Sequence, residues 1–234
     1  MPSLPTPYYE QDGITIYHGD CRDILPLIEP GSVDLVLTDP PYGMNLDTNY
    51  SSLAGTTKWK AVKGDYAGKE YARVAGDDAP FEPALILSFG RPTILFGADH
   101  YSDKLPPSRG WIVWDKREEL GSNMLSDAEL AWTNIATPTR IYRHKWLGYM
   151  RASEVGKHLH PTQKPVTLMR WILGKWSNPS GLVLDPYMGS GPVARACADT
   201  GRRYIGIELE ERYCEIAAKR LQQSVLPMFA EAAS

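Results

Sequence analysis

Gly181-Leu182-Val183-Leu184-Asp185-Pro186-Tyr187-Met188-Gly189-Ser190-Gly191 decides the fold of this 234-residue chain. Leu182 to Leu184 is a short apolar run that suits a buried strand, and a glycine-rich turn follows at once. Pro192 and Val193 then begin a helical pattern that runs to about Thr200. Arg203 to Ile207 is a second strand and ends in Glu208. Glycines between a strand and a helix let a ligand approach the backbone closely, and an acid at the end of the next strand can hold a ribose through its hydroxyls. The unit therefore reads as a nucleoside-cofactor site. It lacks the Gly-Lys-Ser/Thr of a Walker-type triphosphate site.

Two earlier strands run into acidic turns in the same way. Ile14 to His18 alternates as a strand and stops at Gly19-Asp20-Cys21, and Arg22 to Ile28 has helical spacing. Val33-Asp34-Leu35-Val36-Leu37 reads as a buried strand that enters Thr38-Asp39-Pro40-Pro41-Tyr42-Gly43. Each proline fixes its own backbone and has no N–H to donate. This turn exposes acceptors: the Asp39 carboxylate and the carbonyls of Asp39 and Pro40. They suit a ligand group with two hydrogens to give, such as an exocyclic amine, with Tyr42 as a flat surface beside it. In an open parallel sheet the carboxyl ends of the strands share one edge, and ligands bind in the crevice outside it. Asp20, Asp39, Asp185 and Glu208 are thus expected to face one crevice.

The remaining elements alternate in kind. Pro83 to Phe89 reads as a short helix; Thr93 to Gly97, Gly110 to Asp115 and Ala128 to Thr133 read as strands. Trp111, Trp114 and Trp132 are expected in the core. His160-Pro161-Thr162-Gln163-Lys164-Pro165 opens the clearest helix, with Pro165 in its first turn and Val166, Met169, Ile172 or Leu173, and Trp176 at helical spacing. Its N-terminus and Lys164 would welcome a ligand carboxylate. A last helix is expected from about Leu209 to Val225. Residues 1–13 read as a loose lead-in.

Hydrophobic content of 43% and charged content of 23% are those of a soluble globular protein, and one domain over 1–234 is expected. No apolar stretch approaches a membrane span, and the first residues lack signal-peptide features. Cys21, Cys197 and Cys214 have no metal-ligand spacing, so no metal is expected, and an odd count suits a reducing, cytoplasmic setting. A net charge of −3 argues weakly against a nucleic-acid partner, but the local distribution decides. Leu130 to Ser153 contains no acid and carries Arg140, Arg143, Lys145 and Arg151 beside Trp146 and Tyr149. It is the best candidate for a phosphate-contacting surface. Residues 44–80 form a second candidate loop, where Lys58, Lys60, Lys63 and Lys69 interleave with Trp59, Tyr66 and Tyr71.

With these motifs in hand, the chain resembles the S-adenosylmethionine-dependent DNA amino-methyltransferases, which act on adenine N6 or cytosine N4, in the permuted, β-type motif order. Thr38 to Gly43 matches the family's Asp-Pro-Pro-Tyr motif. Asp185 to Gly191 resembles its Asp-Pro-Phe-x-Gly-Ser-Gly motif with Tyr187 for Phe, and His160 to Pro165 matches His-Pro-Thr-x-Lys-Pro. Pro192 departs from the usual Thr. Little room remains between Trp132 and His160 for the insert that reads target DNA, so specificity is expected to be short or relaxed.

The resemblance implies a Rossmann-like α/β fold, a mostly parallel twisted sheet with helices on both faces. It implies Asp39, Pro40, Pro41 and Tyr42 as the catalytic turn. Contacts to S-adenosylmethionine are implied for Asp20 and Cys21 at the adenine and Glu208 at the ribose. Asp185, Tyr187, Gly189, Ser190 and Gly191 fall at the amino-acid part, and His160, Thr162 and Lys164 near the methionine carboxylate. Double-stranded DNA is the implied partner, through 44–80 and about 137–157, and dimers are common in the family. Asp before Pro-Pro leans toward adenine; cytosine N4, RNA, a protein glutamine or a silent DNA-binding protein are the rival readings.

Overall fold

The computed structural model describes residues 3–45, 73–121, 126–147, 150–154 and 162–222. Lys58, Lys60 and the aromatic residues between 46 and 72 lie outside these ranges, as does His160.

The first strands are β1 (Tyr9–Gln11) and β2 (Ile14–His18), paired antiparallel. Asp12 and Gly13 join them with φ of 51° and 79°. Positive φ at both central residues is the primed turn that suits a tight hairpin, and Asp-Gly favours it. The expected loose lead-in is thus partly an edge strand. Then come β3 (Leu35–Thr38), β4 (Thr93–Phe96), β5 (Gly110–Asp115), β6 (Ala128–Thr133), β7 (Arg140–Arg143), β8 (Trp146–Leu147), β9 (Met150–Arg151), β10 (Leu182–Asp185) and β11 (Arg203–Glu208). Nine of them form one sheet in the order β1-β2-β11-β10-β3-β4-β6-β5-β7. From β2 to β4 every pairing is parallel; β6 inserts antiparallel between β4 and β5, and β7 adds parallel to β5.

Central strands of such a sheet are covered on both faces and read as continuous apolar runs. Leu35, Leu37, Val183 and Ile94 point to one layer, built from α3 (Val166–Trp176), α4 (Pro192–Thr200) and α5 (Glu211–Gln222) through Leu168, Ile172, Ala194 and Cys214. Val36, Leu184 and Leu95 point to the other, with Ile24 of α1 (Cys21–Ile24) and Ile86 of α2 (Ala84–Leu87). Trp114 and Trp132 are fully buried, whereas Trp111 only packs against the core from its margin. The result is an α/β fold with helices on both faces, as expected.

Two boundaries differ from expectation. Pro165 caps α3 with extended backbone instead of entering its first turn, which spares the helix a residue without N–H. The segment about 137–157 is not a plain loop: it holds β7 at the sheet edge and the β8–β9 hairpin. The sequence hid β7 because an edge strand needs no apolar face, and Ile141 is half exposed there.

At the centre, β10 and β3 are neighbours. From β10 the chain continues toward β11, and from β3 toward β4, so the crevice expected at a topological switch opens between their carboxyl ends. Thr38 donates to Asp185 across it at 2.7 Å, and Tyr204 donates to the other carboxylate oxygen at 3.1 Å.

Burial pushes Asp185 up to about 7 despite the hydrogen bonds from Thr38, Tyr204 and the Tyr187 amide. A carboxyl held above its ordinary 3.8 binds its proton more tightly when folded. Its contribution to stability is complete below that value and is lost as pH rises through about 7. Asp185→Asn cannot titrate. The stability of the native chain relative to this variant is expected to fall as pH rises across that window in urea melts, whereas a constant difference would contradict the assignment.

Candidate active site

A cavity of about 890 Å³ opens at this edge and is walled by all four strand-end acids, Asp20, Asp39, Asp185 and Glu208. Thr162, Lys164, Tyr187, Gly189 and Ser190 line it too, so residues far apart in sequence meet as expected.

Asp39 leaves β3 into the Pro-Pro turn. Tyr42 donates its hydroxyl to Oδ1 at 2.5 Å, and the Lys164 ammonium lies 2.6 Å from Oδ2 and 3.2 Å from the tyrosine oxygen. The same ammonium, only 4% exposed, is 3.1 Å from a carboxylate oxygen of Glu129 on β6. The other Glu129 oxygen pairs with Lys116 at 3.0 Å. A row of alternating charges thus runs Asp39, Lys164, Glu129, Lys116 along the cavity wall. Burial raises Asp39 above the usual carboxylate range, with Glu129 adding to the rise and Lys164 opposing it. Burial also tends to raise Glu129, but the two lysines outweigh it and leave it lowered. Lys164 is raised despite its burial, because two carboxylates flank it. The sequence reading aimed Lys164 at a ligand carboxylate; its ammonium instead faces these protein carboxylates. Glu129, Lys116 and His100 were not anticipated. A charged residue inside the Ala128–Thr133 strand was the available signal for Glu129.

The Tyr42 ring is held in place. The His100 ring stacks on it at 5.0 Å and 12° between planes. The turn that follows is pinned by Asp77, which accepts from the amides of Gly43 at 2.9 Å and Met44 at 3.1 Å.

On the β10 and β11 side, Glu208 accepts from the amides of Gly189 at 2.8 Å and Glu210 at 2.8 Å, and burial raises its pKa. Asp20 caps α1 by accepting from the Arg22 amide at 2.8 Å and also pairs with its guanidinium. Cys21 is buried, and its sulfur accepts a hydrogen bond from the Tyr187 hydroxyl. A nucleoside carrying an amino-acid tail fits these groups. Ser190 Oγ is buried with no hydrogen-bond partner among the described residues, and the space a Gly189 side chain would fill is open. The rim is acidic, which suits amine and hydroxyl donors.

The basic residues sit differently. Arg140 and Arg143 are exposed on β7, Arg143 lies 3.6 Å from Asp115, and Lys145 lies 3.6 Å from Glu118. The Arg151 guanidinium covers the Trp146 ring at 4.0 Å. Because β7 runs parallel to β5, its carboxyl end lies on the cavity's edge of the sheet. No helix among the described residues is long and apolar enough to cross a membrane.

The DNA methylase family model matches residues 113–219. YubD of Escherichia coli is 29% identical over 224 residues, covering 87% of this chain and 88% of that protein. The DNA adenine methyltransferase YhdJ of the same organism is 26% identical, covering 88% and 82%. Among solved structures, the SAM complex of M1.HpyAVI aligns with a TM-score of 0.54 at 28% identity over 89% of this chain and 98% of that one. The cytosine-N4-specific PvuII DNA methyltransferase aligns at 0.59 and 15% identity over 92% and 88%, a likeness of fold.

Gly97 has a φ of +66°, and a Cβ there would lie 2.0 Å from the Tyr42 ring. Gly90 has a similar φ of +59° with open space around it. Gly90→Ala is expected to cost about 1 kcal/mol, the backbone penalty alone. Gly97→Ala is expected to cost about 1–3 kcal/mol more, because the ring cannot give way without leaving Asp39. Equal melting shifts for the two variants would contradict this packing.

Proposed function

We propose that this chain, a member of the S-adenosylmethionine-dependent DNA amino-methyltransferases, methylates the exocyclic amine of an adenine flipped out of double-stranded DNA. The observation that carries the reading is the Asp39-Pro40-Pro41-Tyr42 turn, held at the mouth of the cavity that the cofactor-type turn also lines. S-adenosylmethionine, when bound, would supply the methyl as a sulfonium electrophile and leave as the neutral thioether, and the amine would be cationic until it released one proton to solvent.

The chain's part is to place and prepare that amine. An aromatic amine is a poor nucleophile because its lone pair is delocalised into the ring. Asp39 Oδ1 and Oδ2 each use one lone pair on Tyr42 and Lys164 and keep another for an amine hydrogen. No hydrogen bond among the described residues ends on the Pro40 carbonyl, which takes the second hydrogen. Two acceptors on one NH₂ favour a pyramidal nitrogen, and the carboxylate stabilises the charge that develops on it. Tyr42 lines the cavity beside the flipped base, with His100 stacked on one face of its ring. Burial raises Asp39, and Lys164 opposes that rise and so favours its ionised form. Glu208 serves the ribose, Asp20 and Cys21 the adenine, and Gly189 and Ser190 with Thr162 the amino-acid tail, while Gly191 packs against Ala217 of α5. Asp before Pro-Pro supports adenine over cytosine, and the same acceptors would serve a cytosine N4.

Transfer of labelled methyl to unmethylated duplex DNA, followed by nucleoside digestion and mass analysis, tests the reading. Methyladenine is the expected product, and methylcytosine would change the base. Label on RNA alone or on none would overturn the reading. Asp39→Ala is expected to lower kcat by about 10³-fold or more while S-adenosylmethionine still binds. Retained turnover would remove Asp39 from the chemistry.

Arg140 and Arg143 are proposed phosphate contacts, with Lys145, Arg151 and the lysines near 58–60 as further candidates. Replacing Arg140 and Arg143 by Gln is expected to weaken DNA binding across sequences and to reduce the slope of log affinity against log salt by about 1–2. An unchanged slope would place the phosphates elsewhere.

A further inference from the structure

We infer that Glu129 is a positioning residue for methyl transfer, acting through Lys164 to set the charge that meets the amine. This rests on the reading of Asp39 as the amine's acceptor. Lys164 alone beside Asp39 would make a neutral pair, with a cation 2.6 Å from the group meant to stabilise a second cation. That arrangement opposes the reaction it serves. Glu129 changes the balance by sharing the ammonium at 3.1 Å. Asp39, Lys164 and Glu129 together carry one net negative charge, and the ammonium is drawn between two carboxylates. Lys116 restores neutrality at the far end of the row, 3.0 Å beyond Glu129, where it offsets the burial of Glu129 without cancelling the field at Asp39.

The placement follows from the sheet. Antiparallel β6 lies between β4 and β5, so Glu129, near its start, comes to the edge where the parallel strands end. Glu129 pairs there with Trp114 in register, and Lys116 follows β5 two residues later. The groups that face Asp39 are Tyr42 on its own turn, Tyr101 after β4, Glu129 on β6, Lys164 before α3 and Asp185 at the end of β10. Glu129 is the added negative charge that shares the lysine.

Glu129→Gln keeps size and removes that charge. In the full chain, assayed with labelled S-adenosylmethionine and unmethylated duplex DNA, cofactor affinity is expected to stay as in the native protein. The kcat is expected to fall about 10- to 100-fold. Loss of a negative charge beside Asp39 also lowers its pKa, so the acid limb of the kcat profile moves to lower pH. Glu129→Asp, which keeps the charge, is expected to recover part of the rate without moving the limb. In a Lys164→Met background, Glu129→Gln is expected to add no further loss, because the residue through which it acts is gone.

Native kcat and an unmoved acid limb in Glu129→Gln would overturn the inference and leave the methyl-transfer reading intact. A full additional loss in the Lys164→Met background would also overturn it, as would loss of cofactor binding, which marks a purely structural role. Failure of the underlying reading is a separate result, seen as absence of transfer by the native chain.

Discussion

Thr38 and Asp185 are 147 residues apart and meet in a 2.7 Å hydrogen bond between neighbouring parallel strands. Much of the site depends on that junction. It lies where the connections diverge, so no crossover covers the carboxyl ends of β3 and β10. Asp185 is almost fully buried there, and a buried carboxyl is tolerated when its oxygens are hydrogen-bonded. Thr38, Tyr204 and the Tyr187 amide meet that need from three elements. The bond thereby fixes two turns against each other: the one that begins with Asp39 and the one that begins with Asp185. In methyl transfer between two bound molecules, this relative placement supplies much of the effective concentration.

Beside this junction the fold accepts a costlier arrangement. Four charges stand in a row from Asp39 to Lys116, with Lys164 almost out of water. Hydrophobic residues of similar volume would commonly be as stable or more so. Desolvation makes each remaining charge act more strongly at short range, and the order of the row leaves a carboxylate at the cavity end. A protein retaining only stability would have little reason to keep Glu129 ionised inside a strand. Within the row Glu129 separates two ammonium groups and Lys164 two carboxylates that would otherwise repel.

The strands that position the site were legible because their apolar runs are short, uninterrupted and ended by acids. The Leu182 to Glu208 unit needed only local rules, and its boundaries follow the sequence closely. The Asp12-Gly13 hairpin carried a readable turn signal that polar flanks concealed. Strand β7 was hidden because an edge strand with Arg140 and Arg143 exposed looks like a basic loop. The order β4-β6-β5 is of another kind: it arises from pairing between distant segments, and no local pattern encodes it. The environment of Lys164 depends on that order. From sequence alone its ammonium pointed naturally to a ligand carboxylate at the helix start, since nothing local places Glu129 beside it.

The sign of the cavity reconciles an acidic chain with a nucleic-acid substrate. Its wall carries Asp20, Asp39, Asp77, Asp78, Asp99, Asp185 and Glu208 against Arg22, Lys116 and Lys164, themselves paired with Asp20, Glu129 and Asp39. Such a surface repels phosphate and favours a sulfonium cation and an uncharged base that offers only amine hydrogens. A polyanion can present a base to it only if its backbone is held outside. The positive charge is accordingly placed outside: Arg143 closes the outermost strand, beyond the acidic wall and on the same sheet edge as its mouth, with Arg140 three residues back at the strand's start. Net charge therefore says little about the partner here. In the proposed reading, the acids gather where a base is taken up and the arginines stand where the backbone is held.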